Sequence, residues 1–490
     1  MTDVLADYEE AKKKVKMYES TWWNIALRGE QLGKTLDEEM VDRRSVQNLL
    51  DNLKMLGQQR TFCCGGWIEL SHPDAHTRLK VKEDATNPRG WRITGLPVDG
   101  LLEFCAPSPY GDLKKGETVY NPSVRLASEC EAAKFQFGRK SHQKSKPGDK
   151  RKTEASPQGL VDYTPQFLSV IREKVSKSLA NGKDVVLQCY KLNVYGKGGF
   201  FNAHVDTPVD AAQMIGTVVV CLPCKHTGGA LTVEHKGTKE EFLFANLSDD
   251  QSKIQWAAFY SDCVHEILPV EEGSRITITY NIIKQDRASF VRGSGLCQSE
   301  SFSSGPMLEA DNEPTLNGIA SAVRMVVSDG EVFDSAFFGY FGIFLQHKYT
   351  MAALAAGNLK GCDQVLHDGL AARGLTCRPL TVLVHEVERY DTDDFFDGEP
   401  GERDVFAFSQ EVVDYMNNKG PKPERVYPSW VMFVKEWSKE RLLISENTRE
   451  GEYCGNWTEG DEVETLYLQS ALVIGFPKKS KRPGVPKQTK

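Results

Sequence analysis

The 490-residue chain lacks any apolar run long enough to span a bilayer, and its first residues do not begin a signal peptide. It also lacks an excess of positive charge, because 68 Asp and Glu residues outnumber 60 Lys and Arg residues and give a net charge of −8. These absences argue against a membrane-spanning protein and against a general binder of polyanions. We expect a cytoplasmic or nuclear protein that does not contact a membrane.

Cysteine is present, but its spacing does not indicate a structural role. The 12 Cys residues are scattered singly, except for the adjacent Cys63 and Cys64 and the pair Cys221 and Cys224. A zinc ribbon would need a second Cys pair at a matching spacing, and the chain has none. We therefore expect reduced thiols, as in proteins of the cytosol or nucleus, with Cys221 and Cys224 at the tip of a hairpin.

Histidine is scarce, with 10 in the chain, and two His-x-Asp sequences contain it. His204 and Asp206 follow a Gly-rich turn at 196–199 and two aromatic residues, a pattern that predicts the opening of a strand. Alternate residues of a strand face the same way, so both side chains can reach one metal ion. His72 and Asp74 flank a proline, which favours a polar turn over a metal site.

A second histidine and an arginine follow at spacings that complete a site. His265 lies in an alternating run, 256–268, and Arg275 opens a β-branched run, 275–282, so the two runs are predicted to form an antiparallel hairpin. Two histidines and one carboxylate are the ligand set of mononuclear non-haem iron. A buried Arg275 would need an anion, such as a dicarboxylate, and Thr277 on the same face could add a hydrogen bond. An exposed Arg275 at a strand end is the alternative.

The segment 190–281 resembles the prolyl-4-hydroxylase-like branch of the iron(II)/2-oxoglutarate-dependent dioxygenase superfamily. His204, Asp206 and His265 match the facial triad of that family, and Arg275 matches the Lys or Arg that binds the C5 carboxylate of 2-oxoglutarate. Tyr195 matches a tyrosine that also binds this cosubstrate, although its spacing alone would make it a barrel aromatic. The short stretches 108–112 and 347–349 are similar to large fungal-type members.

The resemblance implies an α+β fold with a double-stranded β-helix (jelly-roll) catalytic core. The β-forming runs between the ligand segments, 214–221 and 230–234, suit such a core. It also implies Fe(II), 2-oxoglutarate and O2, with ascorbate as an optional addition. The implied reaction hydroxylates a C–H bond and releases succinate and CO2.

The chain is too long for one such barrel. We predict five segments: a helical N-terminal segment at 1–58, the dioxygenase barrel at 59–287 with a basic insertion at 139–156, a linker at 288–314, a C-terminal α+β domain at 315–477 that could be a degenerate second barrel, and a basic tail at 478–490.

The stretch 139–152 carries seven Lys and Arg residues against one Asp and is predicted to be a mobile insertion, with a nuclear address or a nucleic-acid contact as alternatives.

Three classes of function remain open from the sequence. The first is hydroxylation of a protein side chain such as proline, which the size of the chain and its large accessory domain favour. The second is the same chemistry on a small metabolite or a nucleic acid, for which the basic segments 139–152 and 478–490 are the indication. The third is a non-catalytic scaffold, which the complete set of His204, Asp206, His265 and Arg275 opposes.

Overall fold

The β-forming runs of the sequence become strands in a computed structural model of the protein. It describes residues 31–34, 43–58, 61–72, 74–112, 117–140, 160–285, 299–303, 313–328, 340–390, 403–407, 431–433, 442–449 and 461–475. Most of the basic insertion and the whole basic tail lie outside the described residues, as do residues 1–30 of the predicted helical N-terminal segment.

The described residues contain six α-helices and many strands. The helices are α1 (Arg43–Gln58), α2 (Val98–Leu102), α3 (Gln166–Leu179), α4 (Glu313–Ser328), α5 (Met351–Ala355) and α6 (Gly361–Ala372), with 3-10 turns at Asp74–His76, Ala132–Lys134 and Phe244–Leu247. The strands are β1 (Gln31–Lys34), β2 (Cys63–Glu69), β3 (Arg78–Val81), β4 (Trp91–Arg92), β5 (Ala106–Pro107), β6 (Tyr110–Asp112), β7 (Glu117–Val119), β8 (Arg125–Leu126), β9 (Ser128–Glu131), β10 (Phe135–Lys140), β11 (Leu160–Asp162), β12 (Val185–Tyr195), β13 (Phe200–His204), β14 (Met214–Cys221), β15 (His226–Gly228), β16 (Leu231–His235), β17 (Thr238–Phe242), β18 (Lys253–Tyr260), β19 (Val264–Ile267), β20 (Val270–Gly273), β21 (Arg275–Lys284), β22 (Ser299–Ser303), β23 (Tyr340–Phe344), β24 (Thr376–Tyr390), β25 (Arg403–Ala407), β26 (Val431–Phe433), β27 (Leu442–Arg449) and β28 (Asp461–Gly475).

The chain divides into two units. One comprises Arg60–Met307, and the other combines Met1–Gln59 with Leu308–Lys490. The N-terminal residues 1–58 were predicted to be a helical segment, and the described helix α1 within them belongs to the same unit as the C-terminal residues. Its apolar face explains this, because Leu49, Leu53 and Leu56 are fully buried in a cluster with Ile319 and Val323 of α4.

Two antiparallel sheets form the core of the unit Arg60–Met307. Among the described residues, the major sheet has the strand order β22-β2-β18-β14-β21-β12-β9-β5, and the minor sheet has the order β17-β16-β19-β13-β8. Contacts across the gap show that the sheets face each other: Arg125 of β8 donates to Asn193 of β12 at 2.8 Å. This is the jelly-roll core within a mixed α/β chain that the resemblance implied.

The outer face of the major sheet is covered by α3. Ile276, Ile278 and Tyr280 of β21 are buried on one side of the strand. On the other side, the Thr279 hydroxyl accepts from Asn193, whose Oδ1 accepts from Arg125 of the minor sheet. Intervening residues of β21 therefore face the gap between the sheets, because side chains alternate along a strand. Arg275 and Thr277 are among them.

The second His-x-Asp sequence anchors this helix. The Asp74 carboxylate is 1% exposed and accepts hydrogen bonds from the backbone N–H groups of Gln166 and Phe167 at 2.9 and 2.7 Å. It also accepts one from the Tyr163 hydroxyl at 2.7 Å. These N–H groups lie in the first turn of α3 and lack partners within the helix. Asp74 thus has a capping role in a turn, as the proline beside it suggested.

The predicted hairpin carrying His265 and Arg275 was wrong. The run 256–268 is split into β18 in the major sheet and β19 in the minor sheet, with a turn closed by the hydrogen bond from the Cys263 N–H to the Tyr260 carbonyl at 3.0 Å. The predicted turn contains β20, which pairs with β15. His265 and Arg275 therefore lie on opposite sheets, because the chain crosses the gap at these breaks.

The other unit contains one mainly antiparallel sheet in its described residues. Its order is β1-β25-β24-β28-β23-β26, and β27 pairs with the first part of β28. The described strands form this single sheet, so a second barrel is not seen in that part of the chain. No helix among the described residues is long and apolar enough to cross a membrane.

Candidate functional site

Three side chains with metal-binding atoms converge at one end of the minor sheet. His204 ends β13 and pairs directly with His265 of β19, so their ring centroids lie 4.1 Å apart. Asp206 follows two residues after β13, and its Oδ1 lies 3.6 Å from Nε2 of His265. One ligand atom from each of the three side chains lies within 4.8 Å of the other two. We call these residues the triad.

Backbone carbonyls fix the orientation of both imidazoles. Nδ1 of His204 lies 2.8 Å from the Asn202 carbonyl oxygen, and Nδ1 of His265 lies 3.2 Å from that of Cys263. A carbonyl only accepts hydrogen bonds, so each Nδ1 carries the proton and each Nε2 keeps a free lone pair. Such an outer partner is typical of metal-binding histidines.

A threonine from the facing sheet holds the carboxylate. The hydroxyl of Thr217 in β14 donates to Oδ2 of Asp206 at 2.5 Å. This leaves Oδ1, the oxygen nearer His265, for a metal. Thr217 was missed by our sequence analysis. The available signal was a lone hydroxyl residue within an otherwise apolar strand whose residues are all buried.

Aromatic rings enclose the triad on its inner side. The Phe201 ring stacks on His204 with centroids 3.5 Å apart, and the Phe259 ring lies 4.5 Å from His265. Burial, followed by the neighbouring His265, lowers the pKa of His204 to about 3. The imidazole is thus neutral at physiological pH, the form in which histidine binds a metal.

Arg275 is the most unusual buried residue in this unit. It is 0% exposed, and among the described residues none of its three guanidinium nitrogens has a hydrogen-bond partner. The Tyr195 and Phe244 rings lie 5.4 Å from its Cζ, and burial lowers its pKa. An unpaired buried cation costs several kcal/mol, about 3–5 in comparable cases. Its surroundings therefore suit an anionic ligand.

Two other residues predicted for this site line the same face. Tyr195 of β12 is 1% exposed and lies directly opposite Arg275 in the strand register. Thr277 is also 1% exposed and lies two residues after Arg275 on the same side of β21. The structure thus places the triad on the minor sheet, and these residues with Arg275 on the major sheet.

The Cys221 and Cys224 pair has no metal-binding partner set. Both thiols are free, and burial raises the pKa of Cys221 to about 12 and that of Cys224 in the same direction. Among the described residues, neither belongs to a group of three or more His, Cys, Asp or Glu side chains that could hold a metal. They remain protonated thiols at neutral pH.

The donor set of the triad fits iron(II). Two imidazole nitrogens and one carboxylate oxygen on one side of an ion leave the opposite positions open for other ligands. The unpaired guanidinium of Arg275 fits the far carboxylate of a keto-acid, since a planar guanidinium binds a carboxylate with two parallel hydrogen bonds.

A comparison with protein families decides the class. The family model described as the 2OG-Fe(II) oxygenase superfamily matches residues 190–283, which extend from β12 to β21 and include the triad and Arg275. These residues form a 2OG-Fe(II) oxygenase domain. The resemblance inferred from the sequence is therefore confirmed at the level of the superfamily. The matched family is one of oxidoreductases, and it implies that this domain uses iron(II), 2-oxoglutarate and O2.

Searches against individual proteins add little to the oxygenase assignment. No curated protein sequence matches the chain. A prolyl-4-hydroxylase from Pseudomonas putida is 15% identical, with a TM-score of 0.23, over 48% of this chain and 99% of its own. A Trichoplax adhaerens prolyl hydroxylase, solved with a peptide fragment of the hypoxia inducible factor oxygen degradation domain, is 15% identical, with a TM-score of 0.24, over 51% and 96%. An oxidoreductase of the 2OG-Fe(II) oxygenase family from Burkholderia pseudomallei is 16% identical, with a TM-score of 0.21, over 38% and 78%. TM-scores of this size carry no argument about the present fold or substrate.

Proposed function

We propose that the 2OG-Fe(II) oxygenase domain hydroxylates a C–H bond of a protein side chain, such as proline, and converts 2-oxoglutarate to succinate and CO2. The observation that supports the proposal is that one jelly roll contains both the triad and a fully buried Arg275 that is unpaired among the described residues. A scaffold without turnover would have no need to keep an unpaired cation in its core, because that charge destabilises the fold.

In this proposal the residues have separate roles. Nε2 of His204, Nε2 of His265 and Oδ1 of Asp206 would hold iron(II), which would supply the oxidising chemistry toward O2 and the keto-acid. Thr217 holds Asp206 in the orientation that directs Oδ1 inward. Phe201 and Phe259 keep water from the inner side of the histidines.

The cosubstrate would extend from the triad to the major sheet. Arg275 donates two parallel N–H groups to its distal carboxylate, and Tyr195 and Thr277 place hydroxyl groups on the same face for further hydrogen bonds. These contacts fix the keto-acid end beside the triad. Binding energy from the distal carboxylate thus orients the reacting end.

A protein substrate is supported by the accessibility of the triad. The Asp206 side chain is 26% exposed, and the segment 207–213 that follows it lies at the surface, with Val209 55% exposed. A large substrate can therefore approach the open side. The basic segments that suggested a nucleic acid lie almost entirely outside the described residues, so we propose no second function. Ascorbate as an additional requirement stays a prediction.

The proposal is tested by measuring succinate formation from 2-oxoglutarate with iron(II) and O2, first without a substrate and then with peptide pools and metabolite pools. We expect turnover that rises with a peptide pool, together with one added oxygen in a peptide. His204→Ala and Asp206→Ala should abolish turnover, whereas His72→Ala is the matched control outside the triad. Turnover that persists in both triad variants, or that rises with metabolites alone, contradicts the proposal.

A further inference from the structure

A second unpaired polar group lies beside Arg275. His226 of β15 is 2% exposed, and its Nε2 has no hydrogen-bond partner in the part of the chain that the structure describes. Its other ring nitrogen, Nδ1, lies 2.8 Å from the Cys224 carbonyl oxygen. Because that carbonyl only accepts, Nδ1 carries the proton, and Nε2 of the neutral ring is an acceptor. Burial lowers the pKa of His226, which favours this neutral form.

The backbone around His226 is fixed. Its N–H donates to the Ser248 hydroxyl oxygen at 3.3 Å, and the Ser248 hydroxyl lies 3.1 Å from its carbonyl oxygen. β15 is also paired with β20, which leads directly into Arg275. The imidazole is therefore held by the backbone on both sides, with only Nε2 left unsatisfied.

Gly229 shows how closely the two side chains lie. It adopts a φ of +66°, and a Cβ atom there would lie 3.1 Å from Cδ of Arg275 and 3.8 Å from Cδ2 of His226. Both side chains lie against the backbone at this glycine, so they share one enclosed space. The positive charge of Arg275 also lowers the pKa of His226.

The donors and acceptors of this space are complementary. Arg275 has five N–H donors and no acceptor, and a carboxylate binding through both oxygens uses two of them. The neighbouring Tyr195 and Phe244 rings cover the guanidinium with aromatic carbon. His226 offers a bare acceptor and no second donor. Nε2 of His226 can therefore accept an N–H of the Arg275 guanidinium, whereas its lone pair would repel a carboxylate oxygen.

We propose that His226 is a positioning residue for Arg275. When the distal carboxylate binds, Nε2 of His226 would accept an N–H of the guanidinium that the carboxylate does not use, a hydrogen bond that the described residues do not yet make. This bond would set the plane in which Arg275 meets the carboxylate. The inference rests on the proposed function, since it concerns how the same site binds 2-oxoglutarate.

The test compares His226→Gln, which keeps an acceptor near the position of Nε2, with His226→Asn, which keeps a polar group near Nδ1 only. The affinity of the full chain, loaded with Mn(II) and kept free of O2, is measured by calorimetry for 2-oxoglutarate and for 2-oxopentanoate. The second compound has the same five carbons but lacks the distal carboxylate.

We expect His226→Asn to bind 2-oxoglutarate about tenfold more weakly, as the loss of one hydrogen bond to a charged group implies. His226→Gln should bind it about as well as the natural chain does, and all three proteins should bind 2-oxopentanoate equally. Melting temperatures are recorded for each variant, and His226→Leu replaces His226→Asn if the latter does not fold.

Two outcomes overturn the inference. One is an unchanged affinity for 2-oxoglutarate in His226→Asn or His226→Leu, and the other is an equal loss for both keto-acids, which a purely structural role would give. If the natural chain itself does not bind 2-oxoglutarate, the proposed function is overturned. This result differs from the two outcomes that overturn only the role of His226.

Discussion

The Thr217 hydroxyl donates to Oδ2 of Asp206 across the gap between the two sheets, at 2.5 Å. This hydrogen bond joins β14 of the major sheet to the residue that follows β13 of the minor sheet. It selects which carboxylate oxygen is free for a metal. Residues of both sheets therefore position the triad, although its three side chains come from the minor sheet or from the segment directly after β13.

The first prediction removes this hydrogen bond. Thr217→Val keeps the volume of the side chain but leaves Asp206 free to rotate, so metal affinity should fall by about 10- to 100-fold. Titration with Mn(II) or Fe(II) without O2 measures the change. Thr217→Ser retains the hydroxyl and should bind metal nearly as well as the natural chain. Equal affinities for the valine and serine variants would remove Thr217 from the site.

The second prediction concerns the buried charge of Arg275. Arg275→Met removes an unpaired cation while retaining much of the volume, so the ligand-free protein should melt at the same or a higher temperature. The same variant should lose the rise in melting temperature that 2-oxoglutarate gives the metal-loaded protein. Arg275→Lys restores a cation and should recover part of that rise. A full ligand-dependent rise in Arg275→Met would show that its assigned role is incorrect.

The third prediction separates the two His-x-Asp sequences. Asp74→Asn places an amide N–H group among donors that now bind a carboxylate, so it should lower the free energy of unfolding by about 1–3 kcal/mol. Denaturant unfolding measures the loss. Metal affinity should stay unchanged, in contrast to Asp206→Asn, where it should fall. A loss of metal affinity in Asp74→Asn alone would contradict these assignments.

The fourth prediction concerns the buried thiols. Because burial raises the pKa of Cys221 to about 12, its reactive thiolate form should be scarce at pH 8 and become common only as the pH approaches 12. Alkylation of the folded protein, followed by mass spectrometry, should therefore modify Cys221 far more slowly than in the unfolded chain. The double change Cys221→Ser and Cys224→Ser should leave the zinc content unchanged. Rapid alkylation or a disulfide between the two would contradict the prediction.

The candidate site was largely predictable from the sequence because its residues obey local rules. The alternation along the strand from Arg275 follows from strand geometry. The same rule was used to join His204 and Asp206, but β13 ends at His204 and Asp206 lies in the segment after it. The pairing of His204 with His265 joins distant segments, and it became expected only through the family resemblance. Arg275 could have been buried or exposed on the sequence alone, and the fold places it at 0% exposed.

What the sequence left hidden depends on contacts across sheets or between distant segments. Asp74 caps a helix that begins at Gln166, and no local pattern connects the two. The turn at 261–263, which moves the chain from β18 to β19, interrupts an apparently continuous alternation and so was mistaken for one strand. The partnership of α1 with α4 likewise depends on which apolar faces meet after folding.

The triad lies on one sheet and Arg275 on the other, so the separation of the two sheets sets the distance between them. Facing sheets keep a separation of about 10 Å, which their packed side chains set. A keto-acid must reach across this distance to contact the triad on one sheet and Arg275 on the other. If a keto-acid binds the triad and Arg275 as proposed, its length has to match the spacing of the two sheets, so shorter or longer diacids should bind more weakly.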